Sequence, residues 1–167
     1  MLPLVLNPIH IKAGLAGQGA GRDRRAALLA DAGVEVRLLP ETVPDELLKG
    51  LQLLFIAGLP EGRARELAGR ARAHGALVNV EDTPHLCDFH VPAIVRRGEL
   101  LLTASTGGQV PGLSRAVRER LTDQFGPEWT VRLKELGTAR AQWRSQGLSP
   151  NEVSRNVREM VVQMGWL

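Results

Sequence analysis

The chain has 167 residues, 44% hydrophobic and 23% charged, a balance that suits a soluble globular domain and excludes a disordered or fibrous one. The single cysteine, Cys87, rules out an intrachain disulfide, no apolar run nears the ~20 residues of a membrane span, and the N-terminus lacks the basic region and cleavage site of a secretory signal, so no membrane partner and a cytoplasmic location are expected. Net charge is only +3 but the Arg residues cluster (Arg22, Arg24, Arg25; Arg63, Arg65, Arg70, Arg72; Arg96, Arg97; Arg115, Arg118, Arg120), and with no Tyr and three Phe for base stacking the expected partner is a carboxylate-rich ligand rather than nucleic acid.

In chain order, Ile11, Ala13 and Leu15 read as a strand that runs into Gly17-Gln18-Gly19. Residues 22–32 form a helix stopped by Gly33, and Val34, Val36 and Leu38 alternate as a second strand ending before Pro40. Residues 44–49 make a short helix, 53–57 an apolar strand buried on both faces, 61–74 a helix ended by Gly75, and 76–80 a fourth strand. Strands and helices alternating with short links predict an α/β fold, a Rossmann-like doubly wound parallel sheet. An Arg-Arg-Gly-Glu turn at 96–99 then leads into a strand that ends at Ser105. Beyond Gly108 the pattern is helical: 111–124, then 128–144 with Trp129, Leu133, Leu136 and Trp143 at helical spacing. A third helix opens on Ser149-Pro150-Asn151-Glu152, a capping box, and carries an apolar stripe of Val153, Val157, Met160, Val161 and Met164. The three Trp residues are read as packing anchors.

Gly17-Gln18-Gly19-Ala20-Gly21-Arg22 lies between the first strand and first helix, where glycines let backbone N–H groups approach a pyrophosphate at a helix N-terminus. Arg22 is too bulky to pack beneath that turn and is expected to point outward, toward the phosphates. Glu41, with Thr42, follows the second strand and suits an adenosine ribose, which favours NAD over NADP. Ala57-Gly58 after the third strand leaves room for a dinucleotide. Asp82 follows the fourth strand in a Pro-bounded loop, either a turn cap or an acid–base group. Ser105-Thr106-Gly107-Gly108 offers hydroxyls and glycine N–H groups at the mouth of a helix, for capping that helix or for holding an anion. His85, Cys87 and His90 lack the two-pair spacing of a structural zinc site and are read as loop residues, so no metal ligand is assigned.

Three motifs fall in order: Asn79-Val80-Glu81-Asp82-Thr83-Pro84, Phe89-His90-Val91-Pro92 and Ser105-Thr106-Gly107-Gly108-Gln109-Val110-Pro111. Together they resemble the N-terminal domain family of siroheme synthases, the NAD-dependent precorrin-2 dehydrogenases, in its patterns N-V-x-D-x-P, F-x-x-P and S-[ST]-G-G-x-x-P. The resemblance covers roughly residues 3–125. The glycine turn departs from that family's G-G-G-x-V-A at Gln18, Gly21 and Arg22, while Arg24 and Arg25 keep its basic pair.

The resemblance implies NAD-dependent oxidation of precorrin-2 to sirohydrochlorin, with insertion of ferrous iron as a second substrate left open. It implies a cofactor site of Gly17, Gly19, Ala20, Gly21, Glu41, Thr42 and Ala57, a catalytic Asp82, and substrate contacts from Asn79, Ser105, Thr106, Gly107 and Gly108. It further implies a Rossmann domain over 1–106, a dimerisation segment over 107–145 that builds a homodimer, and a helical tail over 146–167. The competing readings are a non-catalytic nucleotide-binding module of the same fold and an NAD(P)-dependent dehydrogenase of another small acid.

Overall fold

The computed structural model describes residues 1–167, which form two compact units, 1–91 and 92–167. The first contains β1 (Ala13–Gly17), α1 (Gly19–Asp31), β2 (Val36–Leu38), α2 (Asp45–Leu48), β3 (Leu53–Ala57), α3 (Glu61–Ala73) and β4 (Leu77–Val80). All strand pairs are parallel, in the order β2-β1-β3-β4, so the expected doubly wound sheet is present. The chain moves from β1 outward to β2 and then returns to the other side of β1. The carboxyl ends of β1 and β3 therefore form the switch point, where sheets of this kind take their ligands.

Hydrophobic layers on both faces hold the sheet. On one face, Leu48 of α2 and the small stripe Ala64, Leu67, Ala68 and Ala71 of α3 cover Leu54, Ile56 and Val78. On the other, Leu29 and Ala26 of α1 pack with Ala13, Leu15 and Phe55. All five residues of β3 are buried, which explains its unbroken apolar run. β1 starts two residues later than its alternation predicts. A 3₁₀ turn at Pro8–His10, capped by the Asn7 side chain, occupies the approach, and Lys12 exchanges hydrogen bonds with Gln52 at the entrance to the sheet. α1 begins at Gly19, three residues before its predicted start, because the glycines themselves form its first turn.

The Arg cluster of α3 serves the fold rather than an incoming carboxylate ligand. Arg63, Arg70 and Arg72 pair with Glu41, Asp45 and Asp88, tying the helix to the loop after β2, to α2 and to the loop after β4, while Arg65 pairs with Glu61 one turn back on the same helix. The Arg70 guanidinium donates to Asp45 and holds its carboxyl below the ordinary carboxylate range.

The second unit opens with an antiparallel hairpin, β5 (Ala93–Arg97) and β6 (Leu100–Ala104), followed by α4 (Pro111–Gln124), α5 (Trp129–Ser145) and α6 (Pro150–Gln163). The sequence reading places the hairpin with the nucleotide-binding part. In the structure it pairs only with itself, packs on α4 and α5, and groups with the helices. Arg97 donates through Nε to the Phe125 carbonyl at 2.7 Å, fastening β5 to the end of α4. Trp129 is buried against Phe125 and Trp166, and Arg132 lies over both indole rings. Ser149 and Glu152 form the expected capping box at the start of α6. Of the stripe on α6, Val153 is buried, Val157, Met160 and Val161 are half-buried, and Met164 is exposed. No helix is long and apolar enough to cross a membrane.

Candidate functional site

At the switch point the turns after β1 and β3 touch backbone to backbone. A Cβ on Gly17 would sit 1.7 Å from the Ala57 carbonyl oxygen, and one on Gly58 would sit 2.1 Å from that of Gln18. Both residues have positive φ, and the Gln18 N–H donates to the Ala57 carbonyl at 3.1 Å. What Ala57 contributes is thus its carbonyl, which fixes the path of the glycine turn. Gly19 also has positive φ, but the space beside it is open. The first turn of α1 has no side-chain cap, so no side chain satisfies its N–H groups, those of Gly19, Ala20 and Gly21, and an uncapped helix N-terminus is able to take an anion.

Gly21 has its own cause. A Cβ there would lie 2.1 Å from Oε2 of Glu81, whose carboxylate fills that space and pairs with Arg24 at 3.4 Å. Arg22 does not point outward as expected. It is half-buried on the inward stripe of α1 with Arg25, Ala26 and Leu29, and its Nε is buried without a partner. Arg25 stacks over the Phe55 ring, 5.4 Å from its centroid. Burial pushes its guanidinium below the usual range, with the Glu81 charge opposing.

Glu41 and Thr42 lie exposed beyond β2. Arg63 of α3 holds Glu41 twice, through the carboxylate at 3.2 Å and the backbone carbonyl at 2.9 Å.

Asp82 stands just past β4 and is the sole non-glycine residue with positive φ, +56°. The Thr83 N–H donates to the Val80 carbonyl at 3.3 Å, closing a tight turn with the exposed Asp82 at its tip. The loop that follows folds back on the outer edge of β4. The Val78 N–H donates to Asp88 Oδ2 at 2.8 Å, the Val80 N–H to Cys87 Sγ at 3.2 Å, and Asn79 Nδ2 to the Phe89 carbonyl at 2.9 Å. Asn79 is only 6% exposed, and its Oδ1 has no partner. His85 lies against Glu61, which also receives Arg65; these hydrogen bonds hold the Glu61 carboxyl below its ordinary range. No three His, Cys, Asp or Glu side chains converge as a metal site would require.

Ser105, Thr106, Gly107 and Gly108 belong to the second unit. The Ser105 hydroxyl accepts from the Gly107 N–H, and Thr106 Oγ1 accepts from the Val110 N–H and shares a hydrogen bond with Ser114. These groups order the turn into α4. Sequence reasoning brings Asp82, Asn79 and the glycine turn into one unit but does not foresee the contacts that Arg63, Cys87 and Asp88 make there. The only local hint of Arg63 is its place in the first turn of the helix after β3.

The profile of a family described as putative NAD(P)-binding matches residues 10–93. The chain belongs to this family. It is 31% identical over 165 residues to the siroheme synthase of Nitrosococcus oceani, an alignment covering 87% of this chain and 34% of that protein. It is 31% identical over 159 residues to that of Ectopseudomonas mendocina, covering 84% and 34%, and 34% identical over 140 residues to that of Methylococcus capsulatus, covering 72% and 30%. The chain thus spans about a third of the length of these curated relatives. Among solved structures, one titled SirC, precorrin-2 dehydrogenase, matches with a TM-score of 0.71 at 19% identity, covering 99% of this chain and 92% of that one, a likeness of fold. The resemblance to siroheme synthase N-terminal domains is thereby shown.

Proposed function

We propose that the chain oxidises precorrin-2 to sirohydrochlorin with NAD. The observation that carries the reading is Asp82, held in a positive-φ turn at the carboxyl end of the same sheet whose switch point carries the glycine turn. The residues fit a dinucleotide: Gly19 faces open space, the α1 N-terminus is uncapped, and Gly17 and Gly58 fix the turn from behind. The N–H groups of Gly19, Ala20 and Gly21 would hold the pyrophosphate, and Glu41 with Thr42 would hold the adenosine ribose. Bound there, NAD supplies the hydride acceptor.

The chain's own part is the proton. Oxidising the macrocycle removes a hydride and a proton, and the Asp82 carboxylate is the acid–base group placed to take the proton on an Oδ atom. Asn79 Oδ1, Ser105, Thr106, Gly107 and Gly108 are the substrate contacts in this reading. Insertion of ferrous iron would use the same carboxylate to accept pyrrole N–H protons. A homodimer through residues 107–145 accounts for Leu113, Val117 and Val131, large apolar side chains left exposed on α4 and α5.

The test is to incubate purified protein with precorrin-2 and NAD and follow the absorption spectrum, then add ferrous iron. Sirohydrochlorin formation is expected. Dinucleotide binding without turnover would favour the non-catalytic module instead, and turnover of another small acid would favour the general dehydrogenase. Light scattering that gives a monomer of 18.2 kDa would overturn the dimer.

A further inference from the structure

We infer that Arg63 is a specificity-determining residue for the cofactor, acting through Glu41 to set which nicotinamide dinucleotide the site takes. The inference rests on the cofactor reading above and extends it to a residue outside the glycine turn. Glu41 follows β2, Arg63 follows β3 in the first turn of α3, and β1 lies between those strands, so the pair bridges the carboxyl end of β1 where the glycine turn begins. Arg63 holds Glu41 at two points, the carboxylate and the backbone carbonyl. A carboxylate held in this way offers its second oxygen to a ribose 2′-hydroxyl and repels a 2′-phosphate by its charge. The same contact keeps the Arg63 fork engaged. Without the carboxylate, an exposed guanidinium stands at the ribose end of the site, and a planar fork of donors is the group that binds phosphate best. Glu41 thus selects against NADP in two ways, by its own charge and by occupying the arginine that would otherwise bind the phosphate.

The experiment is to titrate NADH and NADPH, followed by nicotinamide fluorescence, into the wild type, Glu41→Gln, Arg63→Gln and the double variant. The wild type is expected to prefer NADH. Glu41→Gln should move the affinity ratio toward NADPH by about tenfold or more, as gain of a charge-assisted contact predicts. Arg63→Gln should weaken NADH a few-fold without raising NADPH affinity, and the double variant should keep only the smaller part of the shift that comes from removing the Glu41 charge. A wild-type preference for NADPH, an unmoved ratio in Glu41→Gln, or a shift undiminished in the double variant overturns the inference while leaving the cofactor reading intact. A wild type that binds neither dinucleotide overturns both. Because both side chains are largely exposed, circular dichroism should show all four proteins equally folded.

Discussion

The thiol of Cys87 meets the backbone of Val80 twice, accepting from its N–H and donating to its carbonyl, each at 3.2 Å. β4 is an edge strand, so Val80 has no strand neighbour on that side, and a side chain seven residues later satisfies it. The contact also fixes the start of the turn that presents Asp82. Cys87→Ala should cost about 1–3 kcal/mol by leaving the Val80 N–H unpaired, while the Val80 carbonyl keeps the Thr83 N–H. It should also speed amide exchange at Val80 and lower turnover. Cys87→Ser, which keeps a donor and an acceptor, should recover much of the loss. Unchanged exchange at Val80 in Cys87→Ala would show that water replaces the thiol without cost.

Asp82 separates strain from chemistry. Its φ of +56° is tolerated by Asn and Gly but costs about 1–2 kcal/mol for Ala. Asp82→Asn should therefore melt like the wild type while sirohydrochlorin formation falls about 10²- to 10⁴-fold, the usual contribution of a general base. Asp82→Gly should be at least as stable and equally inactive, and Asp82→Ala less stable. Wild-type turnover by Asp82→Asn would reduce the residue to a turn cap.

Two neighbouring glycines should respond differently to Ala. At Gly17 the new Cβ collides with the Ala57 carbonyl, so Gly17→Ala should unfold the switch point and lower the melting temperature sharply. At Gly19 nothing lies within 4 Å, and only the positive φ opposes a side chain. Gly19→Ala should fold with a loss of about 1–2 kcal/mol, and calorimetry should show weakened dinucleotide binding because the methyl intrudes where the backbone must approach the phosphates. If Gly19→Ala binds NADH as well as the wild type does, the pyrophosphate lies elsewhere.

The capping box of α6 predicts an acid-sensitive end. Hydrogen bonds from Ser149, side chain first and backbone second, hold the Glu152 carboxyl below its usual range. A depressed folded-state value contributes stability that is complete above the unfolded carboxylate range, near pH 4.5, and is lost as pH falls through the lower folded value. Fraying of α6, followed by NMR of Ser149 and Val153, should therefore begin below about pH 4.5. Ser149→Ala should cost about 1 kcal/mol at neutral pH and remove much of this acid dependence.

Much of the fold was legible because its signals are local. The apolar run of β3 appears within five residues, the capping box within four, and the order of strands and helices follows from punctuation by glycine and proline. The place of Asp82 was legible too, from its position after β4. What escaped were contacts between distant residues. Nothing near Gly21 in sequence announces the Glu81 carboxylate, sixty residues on, that requires it to be glycine. Arg22 was misjudged because its polarity outweighed its place on the inward stripe of α1. Arg63, Arg70 and Arg72 of α3 looked like a ligand footprint because their acidic partners lie 16 to 25 residues away in sequence, in other segments.

The interlock of Gly17 with Ala57 and of Gly58 with Gln18 also acts as a gauge for strand alignment. If β3 slid one residue along β1, the methyl of Ala57 or the side chain of Leu59 would stand where Gly58 now passes the Gln18 carbonyl at a distance no Cβ can occupy. Hydrophobic burial alone would allow such a slip, since all five residues of β3 are apolar and both faces of the strand are covered. The two glycines remove that freedom, so the central strand pair has one permitted alignment, and that alignment shapes the turn leading into α1.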